Sequence, residues 1–343
     1  MAYTTINDPT DYFNTKLYSG NSSTQSITGV NFKPDLVWIK ERTNTSSHNM
    51  RDIIRGTNKY ISSDTTGAET TNTHLTSFDS DGFTLASSGG INNSGDTYVS
   101  WNFLGSNTTA SNTDGSITST VSANTTSGFS IVSYTGTGAN ATIGHGLAVA
   151  PKFIIIKVRN ADRYWAVQTS TGAGFEMNLN VTEGQTATSV YWNSTDPTSS
   201  VFSVGTNAAT NNSGDDYIAY VFAPIKGFSK FGSYTGNGSA NGPMVYTGFK
   251  PAFVIIKQSS ASGQNWFLTD NKRNEFNAVD KLVYADSSNA EVTSGSHPID
   301  FLSNGFKCRG TGAGNNGSGA TYIYAAFAES PFTTSTGVPT TAR

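Results

Sequence analysis

Pro34-Asp-Leu-Val-Trp-Ile-Lys40 is met again as Pro151-Lys-Phe-Ile-Ile-Ile-Lys157 and a third time as Pro251-Ala-Phe-Val-Ile-Ile-Lys257. Each copy is a proline, one polar or small residue, four apolar residues rich in β-branched and aromatic types, and a lysine. A run this short and this apolar reads as a strand buried on both faces. Proline is tolerated at its start, where no ladder donor is needed, and the lysine is expected to return the chain to water. Three such strands predict three related β units.

Working outward, each strand is preceded at a near-constant offset by Tyr-(Ser/Thr)-Gly: Tyr18 to Gly20, Tyr134 to Gly136 and Tyr234 to Gly236. Each unit closes on a Gly-bearing turn and an aromatic strand. The endings are Asn92-Asn-Ser-Gly-Asp-Thr-Tyr-Val-Ser-Trp-Asn-Phe103, Asn211-Asn-Ser-Gly-Asp-Asp-Tyr-Ile-Ala-Tyr-Val-Phe222 and Asn315-Asn-Gly-Ser-Gly-Ala-Thr-Tyr-Ile-Tyr-Ala-Ala-Phe327. Glycine supplies the positive φ of the turn, and the paired asparagines tolerate left-handed geometry. Shorter strand-like pieces lie between, at 59–62 and 82–86, 175–181 and 201–204, and 281–284 and 305–308. Alternation of Phe175, Met177, Leu179 and Val181 places four side chains on one face of a half-buried strand.

Short strands spaced by polar turns predict an all-β fold: three tandem related antiparallel β-sandwich units, jelly-roll-like, behind a short N-terminal arm. The arm is 1–16, with Asp8 capping one helical turn that begins at Pro9. The units span 17–104, 116–224 and 225–332. A Ser/Thr/Asn-rich linker, 105–115, joins the first two, and the second borrows 116–121 as an extra strand. The Thr-rich tail, 333–343, is expected to be loose or docked on a partner.

The 343 residues carry a net charge of −3 with 13% charged residues, which marks neither a nucleic-acid binder nor a membrane-surface protein. No stretch approaches the ~20 apolar residues of a membrane span. A single cysteine, Cys308, excludes an internal disulfide, and the first residues do not read as a signal peptide. Assembly in the cytoplasm is the expectation.

Chemistry is sparse. His48, His74, His145 and His297 stand in unrelated contexts, without a partner at metal-ligand spacing. There is no nucleophile elbow, phosphate loop or zinc-protease pair, so no catalytic residue, cofactor or metal is expected. Asp79-Ser-Asp81-Gly82 hints at calcium, but Asx-turn chemistry explains it as well. Asp196, Asp215, Asp216 and Asp270 read equally as turn residues or as members of a glycosidase pair. Trp165 and Trp266 occupy matching positions after their prolines, and Trp192 stands near Asn193 and Asp196. Such rings stack on sugars when exposed; a shared core role is the plainer reading. Arg51/Arg55 and Lys272/Arg273 flank the strand after the apolar one in two units, where the second has Gln168-Thr-Ser170. That asymmetry hints at contact with an acidic or polar partner surface; a solvated loop is the plainer reading.

Several stretches together resemble a repeat family. They are the Tyr-Thr-Gly openings, Phe249-Lys-Pro-Ala-Phe-Val-Ile-Ile-Lys257, Asp270-Asn-Lys-Arg273, Ile299-Asp-Phe-Leu-Ser-Asn-Gly-Phe306 and Tyr322-Ile-Tyr-Ala-Ala-Phe-Ala-Glu329. That family is found in virion structural proteins of tailed bacteriophages, especially those of marine bacteria and cyanobacteria. The resemblance implies a non-enzymatic place on the particle, as tail fibre, tail-associated protein or capsid decoration, and brings no catalytic residue. Its implied partners are other virion proteins and further copies of the chain, a homotrimer favoured, with host surface glycan as a further contact. The alternatives are a carbohydrate-binding, lectin-like adhesin and a glycan depolymerase.

Overall fold

The computed structural model describes residues 3–87 and 89–340. Around each apolar strand the pairing order is the same. Leu36–Glu41 lies between Thr97–Phe103 and Asn49–Asp52, and Phe13–Ser19 pairs on the far side of Thr97–Phe103. Phe153–Val158 lies likewise between Asp216–Phe222 and Ala166–Gln168, with Phe129–Thr135 beyond. Phe249–Gln258 lies between Thr321–Pro331 and Phe267–Asp270, with Ser229–Thr235 beyond. Every one of these pairings is antiparallel. The fold is an all-β sandwich fold, as the composition demanded. We refer to residues 13–103, 110–222 and 229–331 as the first, second and third segments.

Each large sheet carries a smaller one on its outer face. These are Gln25–Thr28 with Gly82–Leu85 and Leu75–Asp79, Ala141–Gly144 with Val201–Val204, and Met244–Tyr246 with Gly305–Cys308 and Ile299–Leu302. Between the layers of the first segment lie Ile27, Val37, Ile39, Leu75, Phe83 and Leu85. The second has its own set around Val132, Ile154, Ile156, Phe202 and Val204. The inner faces of all three large sheets meet in one apolar core. At its centre the last aromatic residues of the closing strands touch one another: Phe103, Phe222 and Phe327, with ring centroids 5.2–5.5 Å apart. The apolar strand is therefore buried twice over, by its small sheet outside and by its neighbours inside, which is why it needs four consecutive apolar residues.

The recurring polar motifs have a common duty. Each opening tyrosine stacks on the closing one, Tyr18 on Tyr98, Tyr134 on Tyr217 and Tyr234 on Tyr322, at 4.9–5.1 Å. The next residue but one, Gly20, Gly136 or Gly236, lies so close to the turn before the closing strand that a Cβ would collide with its backbone. Gly95, Gly214 and Gly319 hold the positive φ expected of the turn. A buried asparagine ties that turn to the sandwich: Asn92, Asn211 and Asn316 each donate through Nδ2 to two backbone carbonyls.

The strands read at 201–204, 281–284 and 305–308 are found with those limits. Asp8 caps a single turn of 3-10 helix, Pro9–Asp11, by accepting from the Thr10 amide at 2.9 Å. Four expectations need correction. Phe13–Ser19 begins inside the stretch assigned to the arm. The linker contains a strand, Ala110–Asn112, paired with Ser119–Asn124, because backbone lying on a sheet edge finds its partners there. Phe175–Asn178 stops short of Val181, and Phe175 itself is 40% exposed. The tail folds onto its own chain: Thr333 bridges Pro339 and the Ser335 amide donates to Asn7 Oδ1. Its last residues, 341–343, lie outside the described residues.

Candidate functional site

The lysines that end the apolar strands do not reach water. Lys40, Lys157 and Lys257 are fully buried, and each Nζ crosses to a neighbouring segment. Lys40 donates to Ser288 O at 3.2 Å, Lys157 to Thr66 O at 2.9 Å and Lys257 to Thr182 O at 2.8 Å. Burial pulls all three down to about 8. An ammonium group carries three donors, and here each also reaches a carbonyl of its own segment, Glu41 O, Arg163 O or Gln264 O, so that it ties two stretches of backbone together. The contacts run in one direction: first to third, second to first, third to second.

A second station repeats the same circuit. Trp165 Nε1 donates to Ser62 O at 3.0 Å, and Trp266 Nε1 to Asn178 O at 3.0 Å. The matching place in the first segment is taken by His48, whose Nε2 lies 2.8 Å from Tyr284 O. Trp38 Nε1 donates to His48 Nδ1 at 2.8 Å, so Nδ1 is the acceptor and Nε2 carries the hydrogen. Burial lowers His48 to about 4 and keeps the ring neutral. No sugar can stack on Trp165, Trp192 or Trp266 in this fold, because all three rings are fully enclosed. Trp192 packs beside Tyr191 in the core of the second segment and takes no part in the circuit.

The basic clusters separate in the same way. Arg55 and Arg273 are buried, each against a carboxylate three residues earlier: Arg55 Nε to Asp52 at 2.6 Å and Arg273 Nε to Asp270 at 2.7 Å. Each carboxylate also accepts from the closing strand of a neighbouring segment, Asp52 from Tyr220 OH at 2.9 Å and Asp270 from Trp101 Nε1 at 3.1 Å. Outside them, Arg159 meets Glu69 at 3.1 Å and Arg42 meets Glu291 at 2.9 Å. The partner read for these arginines is thus the protein's own next segment. Arg51 is also buried, bonded to Asn49, Thr57 and Asn72 and lying over the Tyr60 ring. Only Lys272 is exposed.

The remaining chemical candidates resolve locally. Asp81 accepts from the Gly29 and Asn31 amides at 2.9 and 2.7 Å, and Asp79 from the Thr84 hydroxyl at 2.6 Å, which is loop chemistry. Among the described residues no group of three or more His, Cys, Asp or Glu side chains is placed to hold a metal. Asp196 accepts from the Ala173 amide, and Asp215 and Asp216 bind Asn212 and Thr135. Burial pushes the Cys308 thiol up to about 11.

On the surface, a hollow of about 510 Å³ lies over the third segment, lined by Lys250, Asn271, Asn274, Glu275 and Phe276 among others. Phe276 is 73% exposed.

The family model described as Domain of unknown function (DUF7483) matches residues 8–331. The chain belongs to that family. The match takes in all three segments and the capped turn, and leaves out the tail. No curated protein and no solved structure matches the chain.

His48 is the residue that sequence reading missed. It follows Pro34 at the same distance at which Trp165 follows Pro151, and that offset was the available signal.

Proposed function

We propose that the chain is a non-enzymatic structural protein of a phage particle, a tail fibre, tail-associated protein or capsid decoration, that makes contacts with other virion proteins. One observation carries the structural part. The aromatic and ionisable side chains that recur along the sequence are taken up in holding three sandwiches around Phe103, Phe222 and Phe327. A body locked in this way resists opening outside a cell without disulfides. The particle itself is supported by the resemblance of its motifs to virion proteins. We propose further that the three segments are copies of one β block, so that the threefold layout favoured for a homotrimer is met within one chain, and assembly uses its outer surface. Mass spectrometry of purified particles from cells encoding this chain is expected to find the polypeptide in stoichiometric amount. Its absence from intact particles overturns the reading.

A carbohydrate-binding adhesin is the second reading, favoured by the hollow beside Phe276. An exposed ring flanked by Asn271, Asn274, Glu275 and Lys250 supplies both a stacking face and hydrogen-bonding groups for a sugar. On a glycan array the wild-type chain then binds and Phe276→Ala does not; silence of the wild type removes this reading.

A further inference from the structure

In the first and third segments the opening strand of the large sheet and the outer strand of the small one are each the edge of their sheet. In the second segment further chain covers the opening strand. Ser119–Asn124 pairs with Phe129–Thr135, Ile117 bridges Ile143, and Ile117 and Val121 are buried in the local core. The outer strand Ala141–Gly144 meets this cover with small residues: Thr142 Oγ1 accepts from the Ser116 amide at 2.9 Å, and a Cβ on Gly144 would strike Asn112.

The first and third segments have no covering strand among the described residues. Their outer strands differ. By register, Ser26 and Thr28 of the first correspond to Met244 and Tyr246 of the third, since Thr28 and Tyr246 both stand opposite a glycine, Gly82 and Gly305. Ser26 and Thr28 are polar and suit water. Met244 and Tyr246 are 41% and 51% exposed. Tyr3 and Phe332 continue the apolar strip, their rings 6.4 Å apart, with Tyr3 OH donating to Gly248 O at 2.6 Å. Lys226 lies 4.5 Å over the Tyr3 ring and Lys230 5.1 Å over that of Tyr246. Beside them Ser233 and Thr235 are exposed and face away from the closing strand, because the alternate residues Phe228 and Gly236 are the ones bonded to it.

We propose that the flank of the third segment receives an extended segment of another polypeptide, added as a strand along Ser229–Thr235. Its apolar side chains lie on Met244 and Tyr246 and its carboxylates face Lys226 and Lys230. The second segment supplies the precedent for an added strand at this edge, and the two lysines set the sign of the charge that it carries. Main-chain bonds to an open edge give such a contact its strength and alternate side chains give it selectivity. The inference concerns the chain's own surface and stands apart from the particle reading.

The test uses the full chain and a short synthetic peptide of alternating valine and glutamate, followed by hydrogen–deuterium exchange. The peptide is expected to slow exchange at 231–235 and 244–246 and to leave 13–19 unchanged. Giving the third flank the residues of the first, by Met244→Ser with Tyr246→Thr, weakens binding about tenfold or more. Ser233→Pro removes an edge donor without altering the apolar strip and abolishes the protection. Lys230→Ala reduces the salt dependence of binding. The proposal is overturned if no protection develops, if both flank variants bind as the wild type does, or if a peptide of alternating valine and lysine binds equally well.

Discussion

The seam between the first and second segments and the seam between the second and third are built on corresponding strands and filled with different chemistry. At the first, Asp52 and Arg55 are buried against Tyr220, and Glu69 pairs with Arg159. At the second, Thr169 and Gly172 stand at the positions of Asp52 and Arg55, the closing strand has Ala325 at the position of Tyr220, and Gln185 and Ser259 replace the outer ion pair. The backbone bond that accompanies the outer pair is kept: the Glu69 amide donates to Arg159 O at 2.7 Å, and the Gln185 amide to Ser259 O at 2.8 Å. The third seam, between third and first segments, follows the charged pattern with Asp270, Arg273, Trp101, Glu291 and Arg42. Both sides of a seam thus change together. A buried carboxylate is held only where the strand across from it supplies a donor, and a strand ending its duty at Ala325 meets no charge. Leaving a lone acid or arginine there would cost its full desolvation.

The largest expected effect breaks this contrast directly. Asp52→Ala or Asp270→Ala takes the nearest carboxylate from a buried arginine, leaving only Glu69 or Glu291 at 3.6 or 3.4 Å, and is expected to cost about 3–5 kcal/mol. Thr169→Ala, at the corresponding place in the uncharged seam, is expected to cost less than about 1 kcal/mol. Denaturant midpoints measure all three, and equal losses would mean that the ion pairs do not distinguish the seams.

Next in size is what the seams share. Folded, each buried lysine keeps its proton only to about pH 8, against 10.5 for the ordinary group. Between those values the unfolded chain binds more protons, so stability rises with pH, each lysine contributing of the order of 1–3 kcal/mol. Below pH 8 both states are charged and the cost of burial is fully present. The rise ends near pH 10, where the buried phenols of Tyr18, Tyr134 and Tyr234, held well above their ordinary value by burial, favour the unfolded chain. Lys257→Met is expected to flatten the rise in a pH series of melting curves. An unchanged slope would remove Lys257 as its source.

The smallest effect sharpens the outer pairs. Arg42 and Glu291 are partly exposed, so Glu291→Gln is expected to cost about 0.5–1 kcal/mol, less at high salt. Gln185→Ala is expected to show no salt dependence, and a salt-dependent loss there would erase the distinction.

Local signals in the sequence were strong because they record obligations met within a few residues or across one strand pair. Apolar runs after Pro34, Pro151 and Pro251, glycine at positive φ, Asp8 before Pro9, and the paired tyrosines all belong to this kind. The candidate site was far less legible. Trp165 and Trp266 were matched by offset, yet His48 was passed over because a residue of another type performs the same bond. The arginines were noticed for their asymmetry and read as a solvated loop or a contact with an outside partner; their partners lie at Tyr220 and Trp101, far away in the chain.

By itself, then, the sequence determined a chain of short antiparallel strands with three doubly covered ones among them, since backbone geometry and burial leave their mark residue by residue. Tertiary structure alone decided that lysines ending those strands turn inward, that tryptophans and arginines face a neighbouring segment, and that Phe103, Phe222 and Phe327 meet. A side chain's type states which bonds it requires; only the packed neighbours settle whether water or protein provides them.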